Sequence, residues 1–180
     1  MQIFRILFVV VAGLFLTACD SKFKTYDGPA VTLIEVHKAE RKMYMLHDNQ
    51  VVKTYDISLG GNPIGHKQFE GDMKTPEGVY FISKKNPNSS FHLSLQVSYP
   101  NAADRANAAA MGKPPGGDIF IHGGPRKNTA QPKPKFSLPT LLKAKEKPVD
   151  WTAGCIAVTD REIEDIYAMI NTRTPIRILP

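Results

Sequence analysis

From Phe91 to Tyr99 apolar and polar residues alternate without a break, with Phe91, Leu93, Leu95, Val97 and Tyr99 in one set and His92, Ser94, Gln96 and Ser98 in the other. A period of two puts each set on its own face of a β-strand, so this stretch belongs in a sheet with one buried face. The rest of the chain supplies its partners. Val31 to His37, Arg41 to His47 and Val51 to Leu59 are short β-rich runs, with a turn at His47-Asp48-Asn49-Gln50. They predict an antiparallel start in which Val51, Tyr55, Ile57 and Leu59 share a face. Val79 to Ser83, Asp118 to His122 and Pro175 to Leu179 read as further strands. Only two helices are expected. One is the Ala-rich stretch Asn101 to Met111, stopped by Gly112 and Pro114; the other follows Thr159, where Thr159 and Glu162 form a capping box ahead of the stripe Ile163, Ile166, Tyr167 and Ile170. These elements predict a single β-rich α+β domain over residues 31–180. With 180 residues, 42% of them hydrophobic, the chain can build a core without disulfides or structural zinc.

The amino-terminal end obeys a different rule. Arg5 and the free amine precede Ile6 to Leu16, an unbroken apolar run of 11 residues, and Leu16-Thr17-Ala18-Cys19 closes it. As a helix the run would span roughly 16 Å, about half a hydrocarbon core, which suits an export signal and not a membrane anchor. The closing four residues resemble the bacterial lipoprotein lipobox. That resemblance implies cleavage after residue 18, lipidation of Cys19, a tether over residues 19–30 and attachment to the periplasmic face of a membrane. Asp20 resembles the enteric signal for inner-membrane retention. Loss of residues 1–18 removes one arginine and lowers the net charge from +6 to +5. Basicity is concentrated in residues 125–149, which hold seven Lys/Arg, one Glu and five Pro. This stretch reads either as a basic lid, with Arg126 and Lys127 nearest His122, or as a solvated excursion. An exported chain with its charge in one loop argues against nucleic acid as partner.

If Cys19 carries lipid, Cys155 is the one thiol left, in a compartment that oxidises exposed thiols. Two turns hold the chemistry. Ile121-His122-Gly123-Gly124 puts an imidazole where an apolar strand ends, and Trp151-Thr152-Ala153-Gly154-Cys155-Ile156 puts a thiol just ahead of the capped helix. A thiol near an imidazole can become a nucleophilic thiolate at neutral pH. Gly154 would let a substrate carbonyl approach the backbone, and the N–H groups of Ala153, Gly154 and Cys155 could form an oxyanion hole. Trp151 is either core or a platform for substrate. His37, His47, His66 and His92 read as surface positions. No zinc or phosphate-loop pattern stands up.

Three separated blocks, Gly71-Asp72-Met73-Lys74-Thr75-Pro76-Glu77-Gly78, Ile121-His122-Gly123 and Gly154-Cys155-Ile156, resemble in order those of the L,D-transpeptidase (YkuD-type) catalytic domain. The resemblance spans residues 31 to 180 and implies a β-sandwich-type catalytic fold with short helices. It implies that Cys155 attacks the amide after the third residue of a peptidoglycan stem peptide and forms a thioester. His122 would be the proton acceptor and donor, oriented by the main-chain carbonyl of Gly123. Trp151, Thr152 and Arg126 would contact substrate, and no metal or cofactor is implied. The acyl group would pass to an amine of a second stem or a lipoprotein, or to water in an L,D-carboxypeptidase or amidase reaction. A non-catalytic wall-binding lipoprotein is the reading from a different class. Two positions depart from the family pattern: Ala153 stands where a second histidine is common, and Ala157 where Arg or Asn is frequent.

Overall fold

A computed structural model describes residues 21–124 and 150–180. The apolar leader, Cys19, Asp20 and the basic segment 125–149 with Arg126 lie outside the described residues. Ten elements follow in chain order: β1 (Leu33–His37), β2 (Lys42–His47), β3 (Gln50–Asp56), β4 (Gly78–Asn86), β5 (Ser94–Val97), α1 (Ala102–Ala110), β6 (Phe120–His122), β7 (Ile156–Ala157), α2 (Asp160–Met169) and β8 (Pro175–Leu179).

The strands line up as β3-β2-β1-β8-β4-β5-β6-β7. Strand β4 serves both halves of this order. Its first residues, Gly78 to Phe81, pair with β8, and its later residues, Ile82 to Asn86, pair with β5, with the register shifting between Ile82 and Lys84. A bulge at such a point bends the strand, which lets one sheet turn to enclose a core. Beyond β3 the chain returns to the far end of the order: Ser58 bridges Ala157 and Gly60 bridges Thr152. One core joins the two halves. Ile34, Val36, Met43 and Met45 from β1 and β2 pack in the same cluster as Leu93, Leu95, Ile121 and Ile156, with Ile163, Ile166 and Ile170 from α2 and its cap. Each of these isoleucines is fully buried, worth roughly 1.5–3 kcal/mol apiece against an exposed side chain.

Helix α2 begins at the expected capping box: the Thr159 hydroxyl accepts from the Glu162 N–H, and the Glu162 carboxylate accepts from the Thr159 N–H. Helix α1 has an equivalent box between Asn101 and Asp104 that the Ala-rich reading overlooked. Two strand readings need correction. Val51 is 55% exposed because a bulge between Met45 and Leu46 leaves Val52 unpaired and breaks the alternation, although Tyr55, Ile57 and Leu59 are buried. The alternating stretch is a strand only over Ser94–Val97, since His92 adopts a left-handed φ of 70°. Its core face still holds, with Leu93, Leu95, Val97 and Tyr99 buried.

Candidate active site at the β6–β7 edge

The turn that carries the thiol is tied down before it reaches Cys155. Asp150 accepts three hydrogen bonds from the Arg41 guanidinium, the shortest 2.7 Å, and one from the Leu59 N–H at 2.9 Å. Trp151 and Thr152 both donate their N–H groups to the Leu59 carbonyl, and the Thr152 carbonyl accepts from Gly61. Thr152 is buried, and its hydroxyl donates to the Cys155 carbonyl at 2.7 Å while accepting the Gly154 N–H at 3.1 Å. This corrects two expectations. Thr152 holds the turn internally and is not exposed to a substrate, and the Gly154 N–H is occupied, so an oxyanion hole would have to use Ala153 and Cys155. Among the described residues nothing accepts from those two N–H groups.

Gly154 has a φ of +131°, and a Cβ there would lie 2.6 Å from the Lys74 carbonyl oxygen. Glycine is therefore required by the neighbouring chain, not by an approaching substrate as the sequence suggested. Lys74 begins the Lys74-Thr75-Pro76 stretch of the long connection between β3 and β4. Thr75 is wholly buried and its hydroxyl accepts from the Gly60 N–H at 3.1 Å.

Strands β6 and β7 run parallel, with Ile121 opposite Ile156 and His122 opposite Ala157. Ile121 and Ile156 point into the core, so His122 and Ala157 belong to the opposite face. Cys155, two residues before Ala157, belongs to that same face by the period of two. The thiol donates to the Asp118 carbonyl at 3.4 Å. Imidazole Nδ1 lies 2.6 Å from the Gly123 carbonyl oxygen. Because a carbonyl only accepts, Nδ1 carries the proton and Nε2 is left as the basic nitrogen. No hydrogen bond joins sulfur and imidazole in this geometry. The ring sits between Phe91, with centroids 4.4 Å apart and planes tilted by 32°, and Trp151, edge-on at 5.7 Å. Trp151 therefore packs on the imidazole while staying half-buried. Gly123 is confined too: a Cβ would meet Asp160 Oδ1 at 2.6 Å and the Phe91 carbonyl at 3.0 Å.

Burial sets the protonation of both groups. His122 is only 2% exposed, and loss of hydration pushes the imidazole below its ordinary value, with the Gly123 carbonyl opposing. Burial likewise pushes the Cys155 thiol up; the Phe120 N–H and the Lys67 charge pull it the other way, and Asp118 adds to the rise. The resting pair is thus thiol and neutral imidazole.

Cys155 and Ala153 open onto a groove of about 680 Å³ walled by Lys67, Glu70 and Gly71 from one loop and by Pro114 to Ile119 from another. The walls are fastened together, since the Glu70 N–H donates to the Pro114 carbonyl and the Lys113 ammonium lies 3.6 Å over the Phe69 ring. Sequence reasoning missed Phe91, Lys67 and the Asp118 carbonyl. Phe91 was assigned to the core by alternation, and Lys67 had no signal beyond its place four residues before Gly71. The other four histidines are half-buried, and His66 has both ring nitrogens engaged: Nδ1 accepts from the Glu77 N–H at 2.9 Å and Nε2 faces Asp104 at 3.1 Å.

The family model of the L,D-transpeptidase catalytic domain, YkuD, matches residues 31–178. The chain belongs to this family. Among curated L,D-transpeptidase relatives is YafK of Escherichia coli (strain K12), itself only provisionally named as such, which is 31% identical over 113 residues. That match covers 59% of this chain and 44% of YafK. In structure the chain is similar to a point variant of Pgp2 from Campylobacter jejuni, a helical cell shape determining protein. There the TM-score is 0.57 and the identity 25%, over 85% of this chain and 48% of Pgp2. Bd1075 of Bdellovibrio bacteriovorus shares the fold, with a TM-score of 0.52 and 24% identity over 87% of this chain and 50% of that one. The chain thus spans about half the length of the relatives it matches, and its L,D-transpeptidase-type domain is the part they share.

Proposed function

We propose that this domain is a cysteine-dependent L,D-transpeptidase that acts on peptidoglycan stem peptides through a thioester. The observation that carries the reading is the β6–β7 register, which brings His122 and Cys155 to one face of neighbouring strands beside an open groove. The Gly123 carbonyl keeps Nδ1 protonated, so Nε2 is the atom able to accept the thiol proton as sulfur attacks. The sulfur lone pair forms the C–S bond while the carbonyl π pair moves onto oxygen, where the N–H groups of Ala153 and Cys155 can receive it. Collapse of that adduct expels the amine of the departing D-amino acid, which takes the proton from Nε2. An acceptor amine, or water, then attacks the thioester and yields its proton to His122.

A neutral starting pair suits this route, because the thiolate forms only as the proton leaves and no carboxylate is needed beside the imidazole. Trp151 and Phe91 keep the ring in one plane. Intact-mass analysis with a tetrapeptide stem should show the acyl adduct on the wild-type protein and none on Cys155→Ala. Products resolved with and without an added amine separate crosslinking from hydrolysis. Retained murein binding with no adduct on the wild type would mean a wall-binding module instead. The proposal extends to the amino terminus: lipid on Cys19 holds the domain at the periplasmic face of a membrane, the inner one given Asp20. Fractionation of Cys19→Ser checks this, since a variant that still sediments with membranes contradicts it.

A further inference from the structure

The carbonyl that orients the His122 imidazole belongs to a peptide group with little of its own to hold it. The oxygen is that of Gly123 and the N–H that of Gly124, so glycine lies on both sides and no Cβ hinders rotation of the peptide plane. The preceding peptide is held by backbone at both ends: the His122 carbonyl accepts from the Val158 N–H at 2.9 Å, and the Gly123 N–H donates to the Phe91 carbonyl at 3.2 Å and the Leu93 carbonyl at 3.4 Å. The Gly123–Gly124 peptide has no such support. Among the described residues its N–H has a single acceptor, Asp160 Oδ1 at 2.8 Å, and its oxygen a single donor, His122 Nδ1 at 2.6 Å. The carboxylate is packed closely on this unit, since a Cβ on Gly123 would lie 2.6 Å from the same Oδ1. Its place is set by α2, where Asp160 follows the capping residue Thr159 in the first turn. A half-turn of an unrestrained peptide would exchange oxygen for N–H in front of Nδ1. The imidazole would then take the other tautomer, with its proton on Nε2 and no lone pair left there to accept from the thiol.

We propose that Asp160 is a positioning residue for the reaction: by gripping the Gly124 N–H it locks the peptide whose carbonyl keeps the His122 proton on Nδ1. A carboxylate thus acts on the imidazole through one intervening peptide group, without touching the ring. A charged acceptor makes a bond roughly twice as strong as a neutral one, and it polarises the carbonyl at the other end of the same amide toward Nδ1–H. The proposal rests on the functional reading above and adds to it the group that sets the tautomer of its base.

The test separates this role from the ordinary benefit of a negative charge at a helix N-terminus. Asp160→Ala and Asp160→Asn both remove that charge, but only the asparagine keeps an oxygen able to accept from Gly124. Asp160→Ser, suited to a first turn but one bond too short to reach Gly124, is a second deletion in case the alanine variant fails to fold. Nitrogen NMR spectra of protein with isotope-labelled histidine and no substrate, with the His122 signals assigned by His122→Gln, report the tautomer at a pH where the ring is neutral. The wild type and Asp160→Asn should show the proton on Nδ1, and the alanine and serine variants a mixture of tautomers. With a tetrapeptide stem, those two variants should lose about tenfold or more in the limiting rate of adduct formation, with half-saturation little changed. Asp160→Asn should stay within about threefold of the wild type. An unchanged rate in the deletion variants, a proton still fixed on Nδ1 in them, or an equal loss in all three variants overturns the assignment. A wild type that forms no adduct defeats the functional reading instead. The tautomer spectra still judge Asp160 in that case: a proton held on Nδ1 without the carboxylate refutes the proposal, and a mixture restored to one form by Asp160→Asn supports it.

Discussion

Replacing Thr152 by valine keeps the shape of a buried side chain and deletes one oxygen. That oxygen serves two backbone groups, donating to the Cys155 carbonyl at 2.7 Å and accepting from the Gly154 N–H at 3.1 Å. The carbonyl bond is only partly buried, whereas the Gly154 N–H is enclosed and would be orphaned. Leaving such a donor unsatisfied and losing the second bond should cost about 2–3 kcal/mol. In a domain of this length that corresponds to a fall in Tm of roughly 5–10 °C. Thr152→Ser, which restores the oxygen but not the methyl group, should recover most of the loss. Thermal denaturation followed by circular dichroism measures both variants, and steady-state kinetics on a stem peptide supplies the second reading. If Thr152→Val melts within 1 °C of the wild type while KM rises severalfold, then Thr152 contacts substrate and the account of the turn is wrong.

Gly154→Ala should be more severe for activity than for folding. Its Cβ must displace the Lys74 carbonyl, 2.6 Å away, and move the thiol, for which a misplacement of about 1 Å costs on the order of a hundredfold in rate. A variant with wild-type turnover would refute the close-packing argument. Phe91→Leu removes a ring whose centroid lies 6.1 Å from that of Trp151 and should cost about 0.5–1.5 kcal/mol beyond lost area, measurable in a double-mutant cycle with Trp151→Leu; a coupling near zero contradicts it. Because burial lowers the His122 value, the unfolded chain binds the imidazole proton more readily than the fold does. His122 should therefore cost nothing above about pH 6.5 and subtract stability as pH falls below it, a slope that His122→Gln should reduce in urea titrations. For Cys155, raised by burial, alkylation by iodoacetamide should climb with pH only above the ordinary thiol range near 9.0; a plateau reached at neutral pH would contradict a neutral resting thiol.

The legible parts of this fold are those where one local rule acts alone. Alternation located the core face of β5, and a side-chain oxygen followed three residues later by a carboxylate located the start of α2, because both signals are read within a single turn or strand. Val51 escaped because a bulge is a property of two strands together, visible only in how β2 and β3 meet. The same distinction holds at the site. His122 and Cys155 could be picked out by chemistry, and family resemblance singled out the Gly123 carbonyl, which lies one residue from its imidazole. Phe91 and Lys67 reach the site only through tertiary packing. Gly154 shows the limit most plainly, since its glycine is demanded by a carbonyl eighty positions earlier in the chain.

The bridges from Ser58 and Gly60 to the cysteine-bearing segment also determine how this protein meets other chains. A sheet that ends in a two-residue strand would normally present bare amides and carbonyls to any passing polypeptide, and such borders seed aggregation. Here the Ser58 N–H and carbonyl both pair with Ala157, so that border is closed by the molecule's own backbone. The opposite border, β3, is interrupted at Val52 and carries Lys53. An extended peptide arriving at the groove therefore has no ladder to extend, and its recognition must come from side chains and from the few amides around the sulfur.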